Sequence, residues 1–276
     1  MIEPMEQMRV MTVGDVVGPE AAEWLGARLP ELRERYELDW IVVNAENAAV
    51  TGPSPHNGFG TTRKELDVLV AGGADVITGG NHSWDGPEVA ESFAYQQVLR
   101  PLNVPETRGK GVLTVGAGDK TLTVVNLMSP GAVGPHCLAP KPTDLWDAWT
   151  GLVESGLLEG TVIVDLHSGS PSEKAWFSGA VDGQVAAVVG THTHDGTKHA
   201  HLLPGGTGFV AELGMVGRLG FSGYGFDPIH FVMECRGEDT SSLPPYQLAT
   251  GDFTMGAAIF DITDGLTTSV VRIDAD

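Results

Sequence analysis

The sequence predicts an α/β protein: one domain built of two sheets packed face to face, with helices outside. Three observations predict it. Strand, helix and strand follow one another early in the chain, which indicates a βαβ unit and a parallel sheet. An antiparallel hairpin near mid-chain marks the crossing into a second βα half. Finally, five apolar, strand-like runs each end in residues able to bind a cation. In open α/β sheets, sites form outside the carboxyl ends of the strands.

The first half reads as follows. Met8 to Gly14 is a strand, and Pro19 suits the first turn of a helix reaching Tyr36, with Pro30 as a kink. Asp39 to Asn44 is a second strand. Thr51 to Gly60 is rich in Pro, Gly and Ser and reads as a loop. Thr62 caps a helix through Ala71. A third strand leads into Asn81-His82, and a short helix follows over Pro87 to Tyr95. Val112 to Val115 and Leu122 to Leu127 form the hairpin across Gly116-Ala117-Gly118-Asp119.

In the second half, Asp144 to Leu157 is a helix with Leu145, Trp146, Trp149, Leu152 and Val153 on one side. A strand ends at His167, and a helix capped by Ser172 runs to Val181. The next apolar run, Val185 to Val189, leads into His192. Phe209 to Leu213 is another strand. Met215 to Asp227 is glycine-rich and reads as an irregular flap or interface loop. Met255 to Ile262 and Ser269 to Ile273 close the fold around Thr263-Asp264-Gly265. Met1 to Gln7 reads as a loose N-terminal extension without the basic-then-apolar order of a signal peptide. The domain then spans 8–276.

Composition narrows the function. The formal charge of −20 excludes a broad basic surface for duplex nucleic acid. No apolar stretch is long enough to span a membrane. With only Cys137 and Cys235, no disulfide framework is implied and a cytoplasmic home is expected. A small or single-stranded phosphorylated substrate fits this acidity better than a duplex does.

The chemistry is concentrated at strand ends. His192 and His194 alternate after a buried strand, so extended backbone projects both imidazoles from one side. Core packing asks for no such pair, whereas a metal does. Asp15 follows the first strand; Glu46 and Asn47 follow the second; Asn81 and His82 follow the third; His167 ends a fourth. Each has a plainer reading alone: Asp15 as a helix cap, Glu46 and Asn47 as turn residues, Asn81 and His82 as a loop pair, His167 as a core histidine. Together they favour a polyvalent metal site. That reading requires His167 and His194 to come within about 10 Å of Asp15 and Glu46, inside any shared-ion coordination distance. His199, His201, His56, His136 and His230 read as surface residues, with His56 near enough to touch substrate. Trp146 and Trp149 read as core, the two cysteines as inert thiols, and Gly214 to Gly220 as a plain loop.

Gly14-Asp15-Val16-Val17-Gly18, Asn44-Ala45-Glu46-Asn47, Gly80-Asn81-His82-Ser83-Trp84-Asp85, Gly109-Lys110-Gly111, Gly190-Thr191-His192-Thr193-His194 and Gly214-Met215-Val216-Gly217 resemble the calcineurin-like metallophosphoesterases, and more closely their YmdB-like bacterial branch. The resemblance runs from Met8 to Ile273. It implies a four-layer α/β/β/α sandwich of the metallophosphoesterase type, two metal ions (iron or manganese) and a homo-oligomer. Carried over by position, one metal takes Asp15, Glu46, Asn47 and His194. The other takes Glu46, Asn81, His167 and His192. Glu46 bridges, and His82 is the proton donor. The implied activity is a binuclear phosphodiesterase in which a metal-bridging hydroxide attacks a nucleotide-type phosphodiester, such as a 2′,3′-cyclic nucleotide. Two alternatives stand beside it: a metal-dependent phosphomonoesterase, and a metal-loaded regulatory or scaffold protein with vestigial catalysis. The sequence departs from the pattern at Val17, where the wider family has histidine, a usual absence in the branch. It also departs at Ser168-Gly169-Ser170, at Gln184 and in the long Thr51 to Gly60 loop, all expected near the substrate edge.

Overall fold

The computed structural model describes residues 7–49, 59–134, 137–220, 224–240, 243 and 247–275. Met1 to Glu6, most of the Thr51 to Gly60 loop with His56 and Asn57, and His136 lie outside the described residues, while Gln7, expected in the loose extension, pairs with Thr263 as the first residue of a strand.

The first strand, β1 (Gln7–Val13), runs into a two-residue strand, β2 (Asp15–Val16). Two helices follow where one kinked helix is expected: α1 (Pro19–Gly26) and α2 (Leu29–Tyr36). Pro30 is the reason. It sits in the first turn of α2, where a missing N–H costs nothing, so the chain restarts a helix instead of bending one. Then come β3 (Trp40–Asn44), α3 (Arg63–Gly72) and β4 (Val76–Thr78). Thr62 occupies the N-cap position of α3, but its hydroxyl donates to Glu65 and accepts no backbone N–H. A short helix, α4 (Val89–Phe93), precedes the hairpin of β5 (Val112–Val115) and β6 (Leu122–Met128), which pair antiparallel as expected.

The second half continues with α5 (Leu145–Ser155), capped by the Asp144 carboxylate, and β7 (Thr161–His167). Helix α6 (Pro171–Ala180) is capped by Ser170, not Ser172, because Pro171 opens the helix and the residue before it takes the cap. The remaining elements are β8 (Ala187–Thr191), β9 (Ala200–Leu202), β10 (Gly208–Val210), β11 (Met215–Arg218), α7 (Ile229–Cys235), β12 (Phe253–Thr263) and β13 (Leu266–Ala275). Met215 to Arg218, expected as irregular chain, is therefore a strand. It pairs with β12 and with β2, and its glycine at 217 leaves room for Val17.

Among the described residues the strands form a seven-stranded sheet, ordered β2-β11-β12-β1-β3-β4 with β13 on β12, and a six-stranded sheet, ordered β5-β6-β7-β8-β10-β9. Strand alternation sorts the apolar side chains into three layers of contact. Met11 and Val43 face Leu25, Leu66 and Leu69 on the helices of the first sheet. Val10 and Val42 face inward with Val124, Ile163 and Phe260, filling the space between the sheets. Val125, Val164 and Val188 meet Trp149, Leu152 and Phe177 of α5 and α6 on the far side. The result is the expected α/β/β/α sandwich. Two of the five residues expected on the apolar side of α5 depart: Trp146 is 41 % and Val153 46 % exposed, while Leu145, Trp149 and Leu152 are buried. Trp146 lies one position after Leu145 in α5, so it rides the edge of the apolar face and packs sideways on Phe177, ring centroids 5.3 Å apart.

β1, β3 and β4 run parallel, as do β6, β7, β8 and β10. The carboxyl ends of both parallel sets meet at one edge of the sandwich, and there the polar residues collect.

Candidate active site

Each site residue is delivered by the end of a strand. Asp15 opens β2, Glu46 and Asn47 follow β3, and Asn81 and His82 follow β4 after two glycines. His167 closes β7; His192 and His194 follow β8. The distances are short. His167 Nε2 lies 3.2 Å from Glu46 Oε1 and 2.9 Å from Asn81 Oδ1, and its Nδ1 lies 3.9 Å from Asp15 Oδ1. His192 Nδ1 is 3.1 Å from His167 Nε2. His194 Nε2 is 4.0 Å from Asp15 Oδ1 and 3.1 Å from Asn47 Nδ2. The seven residues singled out for metal binding thus occupy one cluster. Glu46, His167 and His192 present donor atoms all within 4.8 Å of one another.

The backbone is shaped for this approach. A Cβ at Gly80 would lie 2.1 Å from Glu46 Oε2 and 2.2 Å from His167 Nε2, so only glycine fits. His192 and His194 both adopt positive φ, 105° and 61°. Non-glycine residues in that region carry strain that persists where the surroundings impose it, typically at functional sites. It also means the strand ends at Thr191, so the two imidazoles are placed by a turn and not by strand alternation.

The donor set fits cations. Asp15 Oδ1, Glu46 Oε2 and Asn47 Oδ1 are buried without a hydrogen-bond partner, an unfavourable state that a bound ion relieves. Burial pushes the Asp15 carboxyl well above its usual range and depresses His194. Burial and the neighbouring His167 push His192 down to about 3, leaving a neutral imidazole with an available lone pair. Burial opposes charge on Glu46 and on His167 too, but each stabilises the other: Glu46 is lowered to about 2 and His167 raised to about 9. A cation would take the place of the shared proton.

Partners behind the cluster orient it, and sequence reading missed them. The Thr191 hydroxyl donates to Asp165 Oδ1 at 2.7 Å and receives His167 Nδ1 at 2.9 Å, which turns Nε2 toward Glu46 and Asn81. Thr78 and Asn44 also donate to the buried Asp165. The Tyr224 carbonyl receives His194 Nδ1–H at 3.0 Å, leaving Nε2 toward the cluster. Beneath the His192–His194 turn, fully buried Lys174 donates to Glu212 at 2.6 Å and to the Thr191 carbonyl at 2.9 Å, while Glu212 receives the Thr193 N–H. The signal for Lys174 was its place on the apolar face of α6, one turn before Phe177 and Ser178.

His82 stands beside the cluster. Its backbone N–H donates to Glu46, its ring stacks on Phe59 with centroids 4.6 Å apart, and Nδ1 pairs with Asp85. It lines a cavity of about 710 Å³ together with Glu46, Asn47, Asn81, His192 and His194. Gly169 and Cys137 line it as well. Gln184 does not belong here. It lies before β8, at the opposite end of that strand from His192, with its side chain bonded to Ala180. Ser168 turns from the cavity to Glu173, so the Ser168-Gly169-Ser170 segment reaches the site only through Gly169. His199 and His201 are exposed as expected, but His230 is buried, because α7 turns that face inward. Burial raises the Cys137 thiol, in keeping with an inert residue.

The two-sheet sandwich is of the metallophosphoesterase type, and the chain's named relatives make it a phosphoric ester hydrolase. Within that class the family model of YmdB-like proteins matches residues 11–273, and the chain belongs to that family. It is 33 % identical over 271 residues to the 2′,3′-cyclic-nucleotide 2′-phosphodiesterase of Bacillus subtilis, covering 97 % of this chain and 96 % of that one. A crystal structure described as a novel phosphatase, from Mycoplasma pneumoniae, superposes with a TM-score of 0.86 at 25 % identity, over 99 % of this chain and 94 % of that one. A hypothetical protein of Thermus thermophilus superposes at 0.81 with 30 % identity, over 97 % and 99 %.

Proposed function

We propose that the protein is a binuclear metal-dependent phosphodiesterase acting on a nucleotide-type phosphodiester, such as a 2′,3′-cyclic nucleotide. Asp15, Glu46, Asn47 and His194 would hold one ion; Glu46, Asn81, His167 and His192 the other, with Glu46 shared. Mixed carboxylate, amide and imidazole donors suit iron or manganese. When bound, such a pair supplies Lewis acidity and an activated water for in-line displacement. The chain supplies the rest. His82, outside the ligand set and fixed through Nδ1 by Asp85, acts as the proton donor to the leaving oxygen. Phe59 against its ring limits its rotation and excludes water from one side. Residues 8–276 act as one catalytic domain, in keeping with the continuous core between the sheets.

The observation that carries this reading is the cluster of buried, unpartnered oxygens facing three imidazoles. The diester is favoured over the monoester by the relative from Bacillus subtilis. None of the described residues lining the cavity is a lysine or arginine of the kind that recognises a phosphate dianion. Among the described residues no helix is long and apolar enough to cross a membrane, and both cysteines are free. The free thiols support a cytoplasmic setting.

The test is turnover of bis-p-nitrophenyl phosphate by protein purified anaerobically, with Mn²⁺ or Fe²⁺ added and metal content measured. Wild type is expected to hold about two ions per chain and to cleave the diester faster than p-nitrophenyl phosphate. Glu46→Gln is expected to abolish turnover; full activity in that variant refutes the assignment. Faster monoester cleavage would favour the phosphomonoesterase reading. Bound metal with no turnover across a substrate panel would favour the scaffold reading.

A further inference from the structure

The cavity has two unlike walls. One is the polar cluster. The other is aromatic and leads outward from it: Phe59 stacks on His82, Phe226 lies 5.9 Å from Phe59 and 6.2 Å from the His194 ring, and Phe231 lies 6.1 Å beyond Phe226. The chain of rings runs from buried to open. Phe59 and Phe226 are buried, whereas Phe231 and Tyr224 are 42 % and 48 % exposed where they border the cavity. Gly131, Ala132 and Gly134, which are small and offer backbone groups, also line the cavity. All sixteen lysines and arginines of the chain fall outside the cavity lining.

We propose that Phe231 and Tyr224, backed by Phe226, form a stacking subsite for the nucleobase of the substrate. This rests on the phosphodiesterase reading and adds the substrate's second recognition element. A phosphate seated at the histidine cluster leaves its ribose beside Phe226 and its base over Phe231. A cyclic phosphodiester carries a single charge, so it needs no guanidinium. A base is held by its π-face, and every base has one, so stacking is tolerant of sequence. Among the described residues Gly131, Ala132 and Gly134 present no side-chain carboxylate or amide to the edge of a base, so the subsite is read as stacking without choice between purine and pyrimidine. The same segment ties recognition to the cluster, because the Tyr224 carbonyl orients His194.

The test compares 2′,3′-cyclic AMP, 2′,3′-cyclic UMP and abasic ribose 2′,3′-cyclic phosphate with the metal-loaded full-length protein. Wild type is expected to favour both nucleotides over the abasic diester by about tenfold in kcat/KM, mostly through KM. The two nucleotides should differ by less than that. Phe231→Ala should erase the preference, and Phe231→Trp should retain it. Trp176→Ala, at an exposed position on α6, should leave it unchanged. A preference that survives Phe231→Ala in folded protein overturns the subsite, as does strong selection for one base. Cleavage of bis-p-nitrophenyl phosphate without cleavage of any cyclic nucleotide sinks the subsite and spares the phosphodiesterase. Failure on every diester sinks both.

Discussion

His82 Nδ1 lies 2.6 Å from Asp85 Oδ2, and the other oxygen of the same carboxylate receives the Leu138 N–H at 2.8 Å. Asp85 is buried, so it has few orientations open to it, and it passes that restriction to the imidazole. His82→Asn should lower kcat by about 10²- to 10⁴-fold, the usual contribution of a positioned acid, with metal content unchanged. Asp85→Asn should lower kcat less, with KM and metal content unchanged. An unchanged kcat would mean that the contact is structural only.

Gly80 sets the distance between Glu46 and His167. Gly80→Ala should cost metal, because the new methyl overlaps both donor atoms. Elemental analysis of the folded variant should show less than half the wild-type content. Wild-type stoichiometry would show that the cluster opens without penalty.

Lys174 and Glu212 form a buried ion pair beneath the His192–His194 turn. Lys174→Met leaves an uncompensated carboxylate and should destabilise by about 3–5 kcal/mol in urea unfolding. Lys174→Met with Glu212→Gln should recover part of the loss. A double variant as unstable as the single one would put the cost in packing instead.

Glu106 gives a pH signature away from the cluster. Its carboxyl is held well below its usual range, first by the Arg108 guanidinium and then by the Arg108 and Thr107 N–H groups. A depressed carboxylate contributes stability above its unfolded value of about 4.5, lost as pH falls toward its folded value. The urea midpoint of wild type should therefore drop below pH 4.5 more steeply than that of Glu106→Gln. Parallel curves would show that solvent screens the contact entirely.

Much of this is legible in the sequence, for a physical reason. Apolar strands that end in Asp15, Glu46, Asn81, His167 and His192 state both where the chain is buried and where it stops being buried. The layer order follows from strands that must hide both faces. What is not legible depends on which way a side chain turns. Lys174 and Glu212 look like ordinary surface charges until α6 and the segment after β10 place them face to face. Trp146 sits one position from a buried leucine, and its size alone suggests the core. His230 reads as a surface residue until α7 is seen to turn it inward. The motif pattern links Gln184 to the site, but a strand has two ends, and only the fold says which one matters.

Every oxygen and amide donor of the cluster, from Asp15 to Asn81, comes from the seven-stranded sheet. Every imidazole facing them comes from the six-stranded sheet. Neither half of the chain carries a usable ligand set by itself. A gene recombined at the β5–β6 hairpin inherits matched halves only if both parents keep the same sheet-to-sheet spacing. Ion content then becomes an assay of that spacing, readable in a chimera long before its catalysis can be measured.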